Sequence, residues 1–306
     1  MKLKAFSKIN LLLDITGIKK NGYHSLFTVM QSVSHYDVIT VEKNGSNEIT
    51  VSCDTSGVPT DKSNIVYKCA EKFFEYADIK KDKGIHIHIE KNVPFGAGMG
   101  GGSGDGAAVL VALNKLFETD YSDKVLCRIG VKVGADIPFC IVGGTALALD
   151  TGAVVAPLPD IKDYYIVIVK PDASVSTKEA YTAVDAVENM KHPKNNTMLE
   201  LLADAECDEA LKYCANVFEQ AFDIHGRVDI KDTFNKNGAL AACMTGSGSA
   251  IYGIFSDEES AVKSAENLKT DFKNVYICRP EKTGVEIISN KIIKLNKLKR
   301  NRPKSL

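Results

Sequence analysis

Lys91-Asn-Val-Pro94-Phe-Gly96-Ala-Gly98-Met-Gly100-Gly101-Gly102-Ser103-Gly104-Asp105-Gly106-Ala-Ala108 joins two different patterns. Before it, Gly84-Ile-His-Ile-His-Ile-Glu90 alternates strictly and predicts a strand. After it, Val109, Leu113 and Leu116 form one stripe, which predicts a helix from about Gly104 to Phe117. Glycine permits positive φ and lets backbone N–H groups come close to a ligand. A helix start adds N–H groups without intrahelical partners and the positive end of the helix dipole. Together these make an anion site suited to a polyphosphate. A flexible linker or tight turn is the plainer reading. A turn needs one or two glycines, however, and seven stand between positions 96 and 106. Ordering so many carries an entropic cost that argues for a use.

The loop is not a Walker A motif, because G-x-x-x-x-G-K-[ST] is absent. Gly96-Ala-Gly98-Met-Gly100-Gly101 matches G-x-G-x-x-G, but a dinucleotide fold needs the next helix to lead into a strand ending in an acidic residue. Here Glu118 to Asp123 leads into a second predicted helix, from about Ser122 to Val133. The dehydrogenase reading fails on context.

Toward the N-terminus, Leu3–Ile15, Thr28–Ser34, Asp37–Lys43 and Glu48–Cys53 read as four strands separated by Asn-Gly turn signals. Ser63 or Asn64 is placed to cap a helix reaching Tyr76. Beyond the loop, Gly134-Ala-Asp136-Ile-Pro138 reads as a turn, followed by apolar strands over Phe139–Val142 and Thr145–Leu149. Tyr164–Val169 is continuously apolar and predicts a buried strand that opens a second unit. Helical patterns then run from Ser176 to about Asn235. Strands Leu240–Met244 and Ala250–Phe255 flank Thr245-Gly-Ser-Gly248, and a helix over Asp257–Asp271 follows. Strands near Val275–Cys278 and Gly284–Ile288 close the chain, giving an α+β protein with domains at 1–155 and 156–290 and a tail at 291–306.

At ~100–200 residues per domain, a chain of 306 residues fits two domains. Hydrophobic residues are 44% and charged residues 25%, and the net charge of -1 offers no general attraction for nucleic acid or an anionic membrane. The tail carries seven Lys/Arg in its last sixteen residues and reads as a solvated end. None of the eight cysteines forms a C-x-x-C pair, so free buried thiols in a reducing compartment are expected. His86 and His88 share one strand face, but no third zinc ligand is near in sequence, so a solvated sheet face is expected. The N-terminus has no signal-peptide h-region, and no run of ~20 apolar residues could span a bilayer. The expected location is cytoplasmic.

The loop from Pro94 to Ala108 resembles the second motif of the galactokinase–homoserine–mevalonate–phosphomevalonate (GHMP) kinase superfamily. Ala5-Phe-Ser7-Lys8-Ile-Asn10-Leu resembles its first motif and Met244-Thr-Gly246-Ser-Gly248-Ser-Ala its third. Order and distances agree over nearly the whole chain. Asn21-Gly22-Tyr23-His24-Ser25-Leu26 and Gly134-Ala-Asp136-Ile-Pro138-Phe139 are similar to signatures of the 4-diphosphocytidyl-2-C-methyl-D-erythritol kinase family.

That resemblance implies a ribosomal-protein-like N-terminal domain and a ferredoxin-like C-terminal domain. It implies ATP and Mg²⁺, and phosphorylation of the 2-hydroxyl of a CDP-linked sugar alcohol in non-mevalonate isoprenoid (terpenoid) biosynthesis. It implies a small-molecule partner, no nucleic acid, no membrane, and a monomer or homodimer. Asp136 would accept the hydroxyl proton, and Lys8 would stabilise the developing charge. Read alone, Lys8 is also an outward lysine on an alternating strand, and Asp136 a turn or cap carboxylate.

Pro94, Phe95, Gly96, Ala97, Gly98, Met99, Gly100, Gly101, Gly102, Ser103 and Gly104 would surround ATP, with Asn64 and Lys91 near adenine and ribose. Asn10 would orient Lys8. Tyr23 and Tyr181 would stack on cytosine, His24 would bond its edge, and Thr245, Gly246, Ser247 and Gly248 would close on the substrate diphosphate. Tyr181 also reads as packing on an amphipathic helix.

One departure stands out. The family loop commonly carries two consecutive serines and then Asn-Ala, whereas this chain has Ser103-Gly104-Asp105-Gly106. A carboxylate near a polyphosphate repels it unless it binds metal or caps the helix, so Ser103 and Asp105 are the expected Mg²⁺ ligands. Rival readings are a sibling kinase acting on mevalonate, homoserine or a sugar, a weakly catalytic nucleotide-binding regulator, and an RNA-binding protein. Tyr23-His24 opposes the first, Lys8 with Asp136 the second, and the near-zero net charge the third.

Overall fold

The computed structural model describes residues 1–20, 22–173 and 175–289, so the basic tail lies outside the described residues. Two long strands organise the first unit. β1 (Lys2–Ile18) and β2 (His24–Lys43) pair antiparallel along most of their length. β1 is buried without interruption from Ala5 to Ile15, because both of its faces are covered. The two strands expected over 28–34 and 37–43 are one strand of 20 residues. Phe6 pairs with Tyr36 and Ser7 with Val33, so Ser34 and His35 form a bulge that bends β2. The gap left at His35 and Tyr36 falls at this bulge, and Ser34 N–H donates to the Arg279 carbonyl instead (2.8 Å).

β3 (Ile49–Cys53), α1 (Ile65–Tyr76), β4 (Ile85–Glu90) and α2 (Gly101–Leu116) follow. Asn64 caps α1 by accepting from Val66 N–H (2.9 Å). His86 and His88 on β4 both hydrogen-bond Ser52 of β3, each at 2.9 Å, on the side away from the core. The first helix after the loop begins at Gly101, three residues earlier than expected. Glycines lower helix propensity, but here they are what lets α2 lie close to its neighbours. A Cβ at Gly104 would stand 3.1 Å from the Phe6 carbonyl oxygen, and one at Gly106 2.8 Å from Cys69 Sγ.

α3 (Asp123–Gly130) leads to a second correction. Ile137–Val142 is a helix, α4, and not a strand. Ile137 to Ile141 are all buried, so the run shows no polar face. Periodicity cannot separate a buried strand from a buried helix. Pro138 in the first turn suits a helix start, because its missing N–H would have no partner there. β5 (Thr145–Asp150) and β6 (Val154–Pro157) complete the first pass.

The second unit contains β7 (Tyr165–Lys170), α5 (Thr177–Asp185), α6 (Asn195–Ala203), α7 (Cys207–Leu211), the short β8 (Ala215–Asn216), α8 (Arg227–Lys236), β9 (Ala241–Met244), β10 (Ile251–Phe255), α9 (Glu258–Lys269) and β11 (Asn274–Cys278). Its sheet runs β11-β7-β10-β9, antiparallel throughout, which in chain rank is the 4-1-3-2 order of a ferredoxin-like unit. β7 is the buried strand its apolar run predicts. Val167 and Val169 face α8 and α9, while Ile166 and Ile168 face the first unit.

The chain then returns. β12 (Pro280–Glu281) pairs with β2 and β13 (Val285–Ser289) with β1, so 280–289 belong to the first sheet and not to the second domain expected over 156–290. That sheet runs β13-β1-β2-β4-β3, with β5, β6, β8 and β12 off this path. β13 covers the outer edge of β1, which would otherwise present unpaired backbone groups.

Ile9, Leu11, Val29 and Val33 of the first sheet, Ala97 and Met99 of the glycine loop, and Ile166, Ile168, Tyr252 and Ile254 of the second sheet form one buried cluster. Burying a large apolar side chain is worth about 1.5–3 kcal/mol, so this packing sets the loop's path. All eight cysteines are free, and burial is the largest cause pushing the Cys69 thiol up to about 12. Among the described residues no helix is long and apolar enough to cross a membrane.

Candidate active site

The glycine loop is stitched down on both sides. Lys8 N–H donates to the Met99 carbonyl (2.9 Å), and Ala250 N–H donates to the Ala97 carbonyl (3.1 Å). Gly98, at φ 73°, has no room for a side chain, since a Cβ would lie 2.2 Å from the Thr245 carbonyl oxygen. Gly100, at φ 69°, precedes α2, whose first N–H groups have no intrahelical acceptor. Gly96, Gly98, Gly100 and Ser103 line a cleft of about 1240 Å³ between the two units. Gly246, Ser247 and Gly248 line the same cleft from the opposite side.

Lys8 projects from β1 into this cleft and is 4% exposed, so it is not an outward surface lysine. Its ammonium donates to Asn10 Oδ1 (2.7 Å) and stands 3.7 Å from Asp136 Oδ2. Asp136 occupies the N-cap position of α4 but makes no capping hydrogen bond with its side chain, which leaves the carboxylate turned to other uses. Asn10 is the hub. Its Oδ1 also accepts from Gly246 N–H (2.9 Å), and its Nδ2 donates to the Thr28 hydroxyl (2.8 Å). Thr28 donates onward to the Leu12 carbonyl (2.7 Å), so it can only accept from Asn10, which sets the amide's orientation. Thr245 lies behind, fully buried, and its hydroxyl accepts from Asn10 N–H (3.0 Å). One asparagine thus ties the lysine, the first sheet and the second glycine turn together.

The same cleft is lined by Tyr23, His24 and Tyr181. α5 carries Tyr181 and is started by a reciprocal capping box between Ser176 and Glu179. Tyr181 packs edge-on against Phe218 with centroids 5.1 Å apart. Burial, and then the Asp136 charge, push its phenol up to about 12. The expected aromatic sandwich is not what the structure presents. The His24 ring itself stacks on Tyr181, 4.5 Å between centroids at 24°, while Tyr23 is exposed at the cleft. His24 Nε2 is 2.7 Å from Asp185 Oδ1.

Three expected contacts are placed elsewhere. Asn64 uses its Oδ1 for the cap and donates through Nδ2 to the Pro59 carbonyl (2.5 Å). Lys91 is bound between two carboxylates, Asp37 and Asp105, with Asp105 Oδ2 at 2.8 Å. Asp105 is 3% exposed and does not line the cleft, so it is neither a cleft metal ligand nor a helix cap. The reason is its position on α2: it follows the start of the helix and faces inward, where Lys91 meets it. Loop side chains also divide, with Ala97 and Met99 buried in the shared core and Phe95 exposed.

Burial raises the Asp105 carboxyl to about 8, with Lys91 opposing and the Asp37 charge adding to the rise. Lys91 is desolvated too, but the two carboxylates hold it above its ordinary value. A raised carboxyl means that the folded chain holds its proton more tightly than the unfolded chain. Its contribution to stability is therefore full below the ordinary carboxylate range and is lost as pH rises through about 8. Asp105→Asn keeps an acceptor for Lys91 and removes the titration. The expected result is a melting temperature above the parent's at pH 9, a gap that narrows at pH 6, and an unchanged Mg²⁺ dependence of any turnover. Melting curves that track the parent's at both pH values would count against this account.

Sequence reasoning missed Asn216, whose Nδ2 donates to the carbonyls of Met244 (2.9 Å) and Gly246 (2.8 Å) and so props the second glycine turn. No local pattern marks it, because the pairing of β8 with β1 creates the contact. It also missed Lys132, Lys178 and Asp185 at the cleft. Lys132 lies just before the Gly134–Asp136 turn, and Asp185 one helical turn beyond Tyr181, so proximity to named residues was the available signal.

Comparison with known proteins agrees with this architecture. The family described as GHMP kinases N terminal domain matches residues 64–144, and GHMP kinases C terminal matches residues 227–274. The chain is 41% identical over 283 residues to a 4-diphosphocytidyl-2-C-methyl-D-erythritol kinase of Clostridium perfringens, covering 91% of this chain and 98% of that one. It is 41% identical over 281 residues to the enzyme of the same name from Caldicellulosiruptor bescii, covering 90% and 97%. A crystal structure of 4-(cytidine 5'-diphospho)-2C-methyl-D-erythritol kinase superposes with a TM-score of 0.74 at 28% identity, covering 92% of this chain and 99% of that chain. The homoserine kinase from Cytophaga hutchinsonii shares the fold, with a TM-score of 0.73 at 19% identity over 94% of this chain and 97% of that one. Two stitched glycine segments around a buried lysine, together with relatives at this identity over nearly their full length, mean that the chain belongs to the GHMP kinases and, within them, to the 4-diphosphocytidyl-2-C-methyl-D-erythritol kinase family.

Proposed function

We propose that the chain transfers the γ-phosphoryl group of ATP to the 2-hydroxyl of 4-diphosphocytidyl-2-C-methyl-D-erythritol, a step in non-mevalonate isoprenoid precursor biosynthesis. The observation that carries this reading is the Lys8–Asp136 pair, 3.7 Å apart in one cleft that also holds the phosphate loop and a His–Tyr end. Asp136 takes the hydroxyl proton as the oxygen attacks phosphorus. A new O–P bond forms while the bond from phosphorus to the bridging oxygen breaks, and that electron pair leaves with ADP. Lys8, held by Asn10, neutralises charge on the attacking oxygen and the moving phosphoryl group. Gly96 to Ser103 serve the nucleotide phosphates, and Gly246 to Gly248 the diphosphate of the acceptor. His24, with Tyr23 and Tyr181, gives the base end its aromatic and hydrogen-bonding character.

Among the described residues no group of three His, Cys, Asp or Glu could hold a metal, and Asp105 is engaged by Lys91. The Ser103 hydroxyl lines the cleft and fits an ion that would travel with the triphosphate, since Mg²⁺ keeps several waters and takes few protein ligands. Bound there, Mg²⁺ supplies neutralisation of phosphate charge. The diversion of Asp105 also removes the ground for a regulator reading, because the altered loop residue does not meet the phosphate side of the cleft.

The test is an ATP–Mg²⁺ assay of 4-diphosphocytidyl-2-C-methyl-D-erythritol beside mevalonate and homoserine. Turnover of the cytidyl compound well above both others is the expected outcome. Preference for mevalonate or homoserine would sink the assignment.

A further inference from the structure

α5 presents two residues to His24. Tyr181 and Asp185 are one helical turn apart and therefore share a helix face. Tyr181 stacks on the imidazole at 4.5 Å, and Asp185 Oδ1 lies 2.7 Å from Nε2. The platform holds the ring plane, and the carboxylate holds one edge. The side chain of His24 is only 12% exposed, so it has little freedom to turn away.

An ionised carboxylate can only accept a hydrogen bond, so the hydrogen of that contact sits on Nε2. In the neutral ring Nδ1 is then a bare acceptor. A pyrimidine base distinguishes itself at position 4, where cytosine carries an amino donor and uracil a carbonyl acceptor. A fixed acceptor opposite that position welcomes the amino group and opposes the carbonyl. Were the ring free to exchange tautomers, it could offer Nδ1–H to the carbonyl and the distinction would fade.

We infer that Asp185 is a specificity-determining positioning residue: by holding His24 in the Nε2–H form, it makes the cleft read the amino group of the base. The inference rests on the cytidine-linked kinase reading, but part of its test does not. The Tyr181 face toward His24 is already covered, so an entering base meets His24 and not the sandwich read from the sequence.

The experiment uses the full chain and the variants Asp185→Asn, in which an amide can donate or accept, and Asp185→Glu, which restores a carboxylate. In ¹⁵N-histidine NMR of the ligand-free protein, the His24 signal, assigned by its loss in His24→Gln, is expected in the Nε2–H form. It should become a tautomer mixture in Asp185→Asn and return toward the parental form in Asp185→Glu. In kinetics with the cytidine-linked substrate and its uridine-linked analogue, the cytidine-to-uridine ratio of kcat/KM is expected to fall about tenfold in Asp185→Asn, the worth of one charge-assisted hydrogen bond. The loss should lie in KM for the nucleotide-linked alcohol, with KM for ATP held, and Asp185→Glu should recover part of it. A His24 carrying its hydrogen on Nδ1 in the parent protein, or an unchanged ratio in Asp185→Asn, overturns the inference. Absence of turnover with the cytidine-linked substrate in the parent protein overturns the functional reading instead, and the NMR result then still decides whether Asp185 sets the tautomer.

Discussion

Asp136→Asn is expected to lower kcat by roughly 10²–10⁴-fold, the usual worth of a positioned general base. The substitution keeps the size of the side chain and its place at the start of α4. It removes the ability to take a proton and leaves the Lys8 ammonium without the carboxylate 3.7 Å away. Folding should hardly change, because Asp136 makes no capping bond and its side chain is 39% exposed. Nucleotide affinity should hold as well, since the loop from Gly96 to Ser103 is anchored by Lys8 N–H, Ala250 N–H and the buried Ala97 and Met99, none of which depends on residue 136. Steady-state turnover and titration of a nucleotide analogue separate these effects. A kcat within a factor of a few of the parent's would end the proposed role. Loss of nucleotide affinity alongside turnover would show that Asp136 shapes the phosphate site and does not act as the base.

The second large effect is expected from Gly98→Ala. At φ 73° the left-handed backbone alone costs a residue with a side chain roughly 1–2 kcal/mol. The new Cβ would also meet the Thr245 carbonyl oxygen at 2.2 Å, a backbone atom that can move only with the whole second glycine turn. Contact runs the other way too, as a Cβ at Gly246 would lie 2.8 Å from the Gly98 carbonyl oxygen. One methyl group therefore pushes apart the two segments that face each other across the cleft. A misplacement of about 1 Å near reacting groups can cost about 10²-fold in rate, and a loss of that size in kcat/KM for both substrates is expected. Thermal melting should fall with it. Gly102→Ala is the stability control, because its Cβ would find its nearest atom, Ile65 Cγ2, at 3.6 Å and the residue is already helical. Alanine there should hold or raise the melting temperature. Gly98→Ala that melts and turns over like the parent would mean that the clash is absorbed elsewhere and that the two turns are not mechanically joined.

Much of this protein was legible residue by residue, for identifiable reasons. β4 follows from strict alternation over Ile85–Glu90, α1 from Asn64 and a stripe of apolar residues, and α9 from Asp257, whose side chain accepts from Ser260 N–H (2.8 Å). β7 follows from an apolar run that needs cover on both sides. These are signals whose period or cap is contained in a few consecutive residues. The motif residues Lys8, Asn10, Ser103, Asp136 and Gly246 to Gly248 do meet at one cleft, as the order of the motifs implied.

The misreadings have a common physical cause. His35 and Tyr36 read as a break because the bulge beside them, at Ser34 and His35, is defined by the partner strand, where Phe6 and Ser7 skip those two residues. Phe139–Val142 read as a strand because burial erases the period that would mark a helix. β13 read as part of the second unit because nothing in Val285–Ser289 states which open edge it will pair with.

The glycine loop shows the division most clearly. Sequence alone determined that a glycine-rich loop leads from a strand into a helix. Tertiary structure decided what each glycine is for. Gly98 and Gly100 serve the turn with left-handed backbone, and Gly104 and Gly106 let α2 pack against β1 and Cys69. It also decided the use of Asp105, which Lys91, itself paired with Asp37, holds in the interior. Backbone conformation leaves a trace in residue type. The neighbour that a side chain meets across the fold is set by packing between distant segments, and no local pattern carries it.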